Sequence, residues 1–212
     1  MKFARLLAIV AEEPVFETGL LLAGPVNPSH MRRQLVRWTQ AGRLHQLRRG
    51  LYALAPPYRR TAPHPFLVAN RLVRGSYVSG LSALAHAGVI PEYVPEVTNV
   101  TGGRPQLRQT PLGRFSFRHL KTDLLYGYQH VELARGQSAF VAAPEKALLD
   151  LIYLQPHGDA PAYINELRLD WARLDLAELD RLAAIAGRPK LLRAVRCIRA
   201  LAQDAALGYE PL

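Results

Sequence analysis

Apolar residues recur at Phe3, Leu6, Leu7 and Val10, at helical spacing, and predict a short helix over Phe3 to Ala11 that Pro14 stops. A second short helix is expected over Phe16 to Ala23, ended by Gly24-Pro25. Asn27-Pro28-Ser29 is a strong start signal, because Asn27 can cap and Pro28 suits the first helical position. It opens a third helix that runs to about Ala41 and ends at Gly42. Along that helix Met31, Leu35 and Trp38 fall within about 60° of one another at 100° per residue, so they form its inward stripe. Ser29, His30, Arg33, Arg37 and Gln40 lie on the opposite side, and Arg32 is counted with them.

Arg43 to Leu47 and Leu51 to Leu54 are strand candidates joined by Arg48-Arg49-Gly50, with Gly50 supplying the turn. Leu44 and Leu47 do not alternate cleanly, which leaves the hairpin register open. Pro56 to Pro63 is proline-stiffened and crossed by no hydrophobic period, so it reads as a linker. Helical spacing returns over His64 to Val73, and Tyr77 to Ser79 reads as a strand. A helix over Leu81 to Ala87 follows, capped by Ser79 or Ser82 and ended by Gly88. Glu96 to Val100 and Arg114 to His119 look like strands separated by a Gly-Gly and Pro-rich loop. Two more strands are expected near Tyr126 to Leu133 and Ala139 to Val141. The period then changes, and helices are expected over Pro144 to Leu154, Ala160 to Leu167, Leu176 to Ala186 and Pro189 to Ala205. The whole is α+β: a winged helix-turn-helix in residues 1–57, a Pro-rich linker in 58–64, and a larger mixed domain ending in helices in 65–212.

Composition agrees with a folded core: 49% of the 212 residues are apolar and 21% charged. Charge changes the picture more. The formal charge is +10, and residues 1–60 hold ten Lys/Arg against three acids. Between Glu17 and Glu92 there is no acid, yet ten arginines: Arg32, Arg33, Arg37, Arg43, Arg48, Arg49, Arg59, Arg60, Arg71 and Arg74. A coding bias toward arginine would not remove acids from one segment only, so this stretch favours a polyanionic partner. Arginine can grip guanine through two hydrogen bonds, and serine and glutamine reach bases or phosphates. Ser29, His30, Arg32, Arg33, Arg37 and Gln40 are therefore the candidate base-reading residues, and Arg48 and Arg49 at the hairpin tip the candidate phosphate or minor-groove contacts.

Other chemistry is sparse. The single cysteine, Cys197, excludes an internal disulfide framework and a multi-cysteine zinc site, and is expected to be a buried, inert thiol. No apolar run has the length of a membrane span, and the first ten residues show no secretory leader, so a cytoplasmic location is expected. Thr101-Gly102-Gly103-Arg104 lacks the spacing and lysine of a phosphate-binding loop, and Gly80-Leu81-Ser82 lacks the glycines of a nucleophile elbow. His119, His130 and His157 are scattered. Glu145, Lys146 and Asp150 open a helix, where Glu145 matches the helix dipole. Asp170, Asp175 and Asp180 read as caps and solvated faces. Arg188, Lys190, Arg193, Arg196 and Arg199 give the last helix a basic face, open to DNA, to an acidic partner or simply to solvent.

Four stretches form an ordered set: Arg49-Gly50-Leu51-Tyr52-Ala53-Leu54; Tyr77-Val78-Ser79-Gly80-Leu81-Ser82-Ala83-Leu84 leading to Gly88-Val89-Ile90-Pro91; Val97-Thr98-Asn99-Val100-Thr101; and Ala143-Pro144-Glu145-Lys146-Ala147-Leu148-Leu149-Asp150. Together they resemble the AbiEi family, the antitoxin components of type IV toxin–antitoxin systems, over residues 3 to 200. The resemblance implies a repressor of its own operon that binds promoter inverted repeats in double-stranded DNA. It also implies a C-terminal domain opposing a nucleotidyltransferase-like toxin, AbiEii. It carries over no catalytic residue, cofactor or metal, and no enzymatic activity is expected. Two alternatives come from other classes: a nuclease or nucleotidyltransferase targeted by the N-terminal domain, with Glu145, Lys146 and Asp150 as its best feature, and a ligand-sensing regulator without a toxin.

Overall fold

The structure, a computed structural model, describes residues 1–23 and 26–208. Helix α1 (Phe3–Val10) buries Leu6 and Val10. A two-residue strand, β1 (Phe16–Glu17), leads into a 3-10 turn over Thr18–Leu22. Helix α2 spans Pro28–Gln40, and strands β2 (Leu44–Arg48) and β3 (Leu51–Leu54) follow as a hairpin. The helix expected over Phe16 to Ala23 is thus corrected. Tertiary pairing overrides local preference: β3 offers a free edge, Phe16 pairs with Tyr52 and Glu17 with Leu51, and the Phe16 and Tyr52 rings stack 5.9 Å apart. The expected end at Gly24-Pro25 lies outside the described residues.

The three-stranded sheet runs β1-β3-β2. A bulge between Gln46 and Arg48 settles the register, with Leu44 opposite Leu54 and Arg48 opposite Leu51. Gly50 makes the turn at φ +81°, a region that L-residues avoid. Leu44, Tyr52 and Leu54 face Leu6, Met31, Leu35 and Trp38 in a small core. Leu47, Leu51 and Ala53 face the other way, into the larger core that includes Phe66, Leu72 and Tyr77. Every residue of β3 is therefore buried.

The rest is a six-stranded mixed sheet with helices. Helix α3 (Pro65–Leu72), strand β4 (Ser76–Val78) and helix α4 (Gly80–His86) come first. Strands β5 (Glu96–Thr101), β6 (Gln106–Thr110), β7 (Gly113–His119), β8 (Tyr128–Leu133) and β9 (Gln137–Ala142) follow. Helices α5 (Pro144–Leu154), α6 (Pro161–Glu166), α7 (Leu176–Ala186) and α8 (Pro189–Ala206) close the chain. The strand order is β6-β7-β5-β4-β9-β8, with β5/β7 and β4/β9 parallel and the other pairs antiparallel. The protein is mixed α+β with two sheets. Strand β6 falls where a loop was expected: it is an edge strand with no buried residue and Leu107 as its one apolar side chain, so it carries no alternation to read.

The Pro-rich segment is not a free spacer. Tyr58 meets Phe3 edge-on at 5.1 Å. Gln137 grips the far end, accepting from the His64 backbone at 2.7 Å and donating to the Ala62 carbonyl at 3.0 Å. Proline stiffens this segment, but tertiary hydrogen bonds fix its ends.

Candidate nucleic-acid interface

Helix α2 is built to hold one face still and leave the other open. The Asn27 carboxamide accepts from the His30 backbone at 3.0 Å, and Pro28 follows at the first helical position. Met31, Leu35 and Trp38 are buried, and the Trp38 ring lies 5.4 Å from Phe3. The Arg43 backbone donates to the Trp38 carbonyl at 2.9 Å, tying the hairpin to the end of the helix. Ser29, His30, Arg32, Arg33, Arg37 and Gln40 are all exposed. No acid stands in the first turn of α2, so the positive end of its dipole is uncancelled.

At the hairpin tip the two arginines part company. Arg49 is exposed. Arg48 is turned inward: it donates to Glu17 at 3.3 Å, to the Arg71 carbonyl at 3.2 Å and to the Arg49 carbonyl at 3.2 Å. These protein acceptors compete with its expected phosphate contact, whereas Arg49 has no such competitor among the described residues. Glu17 also takes Arg74 at 2.6 Å, and this guanidinium holds the Glu17 carboxyl below its usual range. Glu17, the last acid before the acid-free stretch, thus joins β1, the hairpin and the segment after α3.

A lowered carboxyl value adds stability above the unfolded pKa of 4.5 that is lost as the pH falls through the lower folded value. Wild type should therefore melt above Glu17→Gln near neutral pH, and the two curves should converge in acid below pH 4.5. Thermal scans across that range check this; a constant gap would mean the carboxylate charge is not what matters.

The contrast with α8 decides which basic helix is available. Arg188 pairs with Asp123, Arg193 with Asp159 at 2.7 Å and Arg199 with Asp180. Lys190 donates to the carbonyls of Tyr153 and Gln155. The basic face of α8 is largely consumed within the fold. Among the described residues Arg32, Arg33, Arg37 and Arg49 make no ion pair.

In the larger unit the sequence reading missed a buried polar network. Lys146 and Asp150 form an ion pair one turn apart in α5, both almost wholly buried. Asp150 also accepts from the hydroxyls of Ser79 at 2.8 Å and Tyr77 at 3.1 Å. Gly127, at φ +68°, packs so closely that a Cβ there would sit 3.0 Å from the lysine stem. Burial pushes the Asp150 carboxyl up and the Lys146 amine down, while each partner's charge opposes the shift. Glu145 is buried too and accepts from the Asp175 backbone at 2.8 Å, so it is a tertiary tether rather than only a match to the helix dipole. Both Asp150 oxygens are engaged by protein donors. The signal was present: Ala147, Leu148, Leu149, Leu151 and Ile152 are apolar around the helix, leaving no solvent side for a charge.

Asp170 and Asp175 act as caps, accepting from the Ala172, Ala177 and Glu178 backbones. Cys197 is half-buried rather than buried, and partial burial raises its pKa. No group of three or more His, Cys, Asp or Glu able to hold a metal occurs among the described residues. No helix among them is long and apolar enough to cross a membrane. No family model matches the chain, and no curated protein matches it.

Proposed function

We propose that the protein is a DNA-binding transcriptional regulator whose N-terminal unit is a winged helix-turn-helix, with α2 as recognition helix and β2–β3 as wing. The carrying observation is the exposed, acid-free face of α2 together with exposed Arg49: among the described residues Arg32, Arg33, Arg37 and Arg49 make no ion pair, whereas Arg193 and Arg199 of α8 and Arg188 at its start do. Unpaired arginines on a rigid helix hold their charge and donors for phosphates and base edges. The four-stretch resemblance to AbiEi antitoxins supports the narrower reading of an autorepressor on promoter inverted repeats, with a nucleotidyltransferase-like toxin as possible cognate. The saturated state of Asp150 does not favour the nuclease alternative.

Titrating the protein against its own upstream promoter and against scrambled DNA of equal length, at several salt concentrations, tests the reading. A promoter preference of at least about a hundredfold is expected of a specific regulator. Equal, steeply salt-dependent binding to both would reject it and leave charge alone as the attraction. In the same assay Arg49→Ala should weaken all sequences alike and lower the salt slope by about 1. An unchanged slope would remove Arg49 from the interface.

A further inference from the structure

Strands β4 and β9 are bridged at Val78 and Val141 and part toward Ser76 and Ser138. The Asn70 amide spans the gap, accepting from the Phe140 backbone at 2.6 Å and donating to the Ser76 carbonyl at 3.3 Å. Over this gap lies a cleft of about 410 Å³. One wall is aromatic. Tyr128 stacks on buried Tyr77 at 4.5 Å, Phe140 meets Tyr128 edge-on at 5.9 Å, and His130 lies 5.4 Å from Phe140. Tyr128 and Phe140 are nevertheless 44% and 46% exposed. The other wall carries Arg71 and Arg74, and among the described residues no carboxylate lines the cleft. Arg71 makes no side-chain ion pair among the described residues, and Arg74 is held by Glu17 from outside the cleft.

We propose that this cleft binds a nucleotide unit, the base against Tyr128 and Phe140 and the phosphate on Arg71 and Arg74. A preformed ring stack gives a planar base a platform at little ordering cost, and two guanidiniums opposite suit a phosphate. The volume fits a mononucleotide. Ser138 supplies a polar group at the cleft wall for the base or ribose. The nucleotide unit comes either as a free mononucleotide or as an unpaired position in a strand. The site does not depend on the DNA-binding reading, although Glu17 links its Arg74 to Arg48 of the hairpin.

Calorimetry without duplex DNA tests the proposal with AMP, GMP, adenosine, inorganic phosphate and an unstructured ten-nucleotide strand. AMP or GMP should bind saturably, with adenosine and phosphate each at least about tenfold weaker. Phe140→Ala and Arg71→Ala, both at exposed positions, should each weaken binding about tenfold while both variants still melt cooperatively. Glu17→Gln, which frees Arg74, should tighten it. Binding of the strand alone, weakened by Phe140→Ala, would identify a strand as the source. No saturable binding of any nucleotide or strand at millimolar concentration, or binding indifferent to Phe140→Ala and Arg71→Ala, overturns the proposal. The promoter titration decides the DNA-binding reading separately, so either can fail alone.

Discussion

Replacing Arg33 or Arg37 with alanine is expected to weaken promoter binding by about 1–3 kcal/mol, roughly 5- to 150-fold, where that arginine holds a guanine by two hydrogen bonds. The loss should fall on one base position and relax specificity there, unlike the uniform loss from Arg49→Ala. Folding should be untouched, because both side chains are exposed and the helix is anchored through Met31, Leu35 and Trp38 on its other side. Among the described residues neither guanidinium has an ion-pair partner to release, so the change reads the proposed DNA contact directly. A gel shift in which both variants bind like wild type would sink the assignment of α2 as the reading helix.

Breaking the buried pair in α5 should have the largest effect on stability. Asp150→Ala strands the Lys146 ammonium and removes the acceptor of the Tyr77 and Ser79 hydroxyls, so a loss of about 3–5 kcal/mol is expected. Lys146→Met leaves the opposite fault, a buried carboxylate whose pKa burial already raises. A folded value above the unfolded 3.8 gives stability that is full below 3.8 and lost as the pH rises through the folded value. Lys146→Met should therefore regain stability as the pH falls through the folded value toward 3.8. The double change Lys146→Met with Asp150→Leu should recover much of the single losses, since it leaves no buried charge. Urea unfolding checks all three; single losses under about 1 kcal/mol would show that the pair is solvated.

The helices were largely legible because their signals are local. Asn27-Pro28 starts α2 and Pro144 starts α5, and both begin where the sequence predicts. The stripe of Met31, Leu35 and Trp38 is buried as its spacing requires. Strand β1 was hidden because two residues have no period, and only the edge of β3 makes them a strand. The role of Arg48 was hidden for a similar reason: Glu17 lies 31 positions away, and no spacing rule brings them together. In the acid-free stretch, charge counting marked ten arginines alike. Geometry separates Arg48, Arg60 and Arg74, which have acidic partners, from Arg32, Arg33, Arg37 and Arg49, which have none among the described residues. The aromatic cleft was illegible because its walls come from α3, β4, β8 and β9, whose adjacency depends on the strand order.

The two-sided burial of β3 bears on how such a chain can change over evolutionary time. Leu51 and Ala53 belong to one core, Tyr52 and Leu54 to the other, so neighbouring codons answer to different selective pressures. A recombination breakpoint at the proline-rich segment would transplant the first 57 residues with an apolar strip cut for a foreign surface. The N-terminal unit is therefore not a cassette to be shuffled freely among folds. Change is more readily accommodated by substitution on the open face of α2, where no second core constrains the choice.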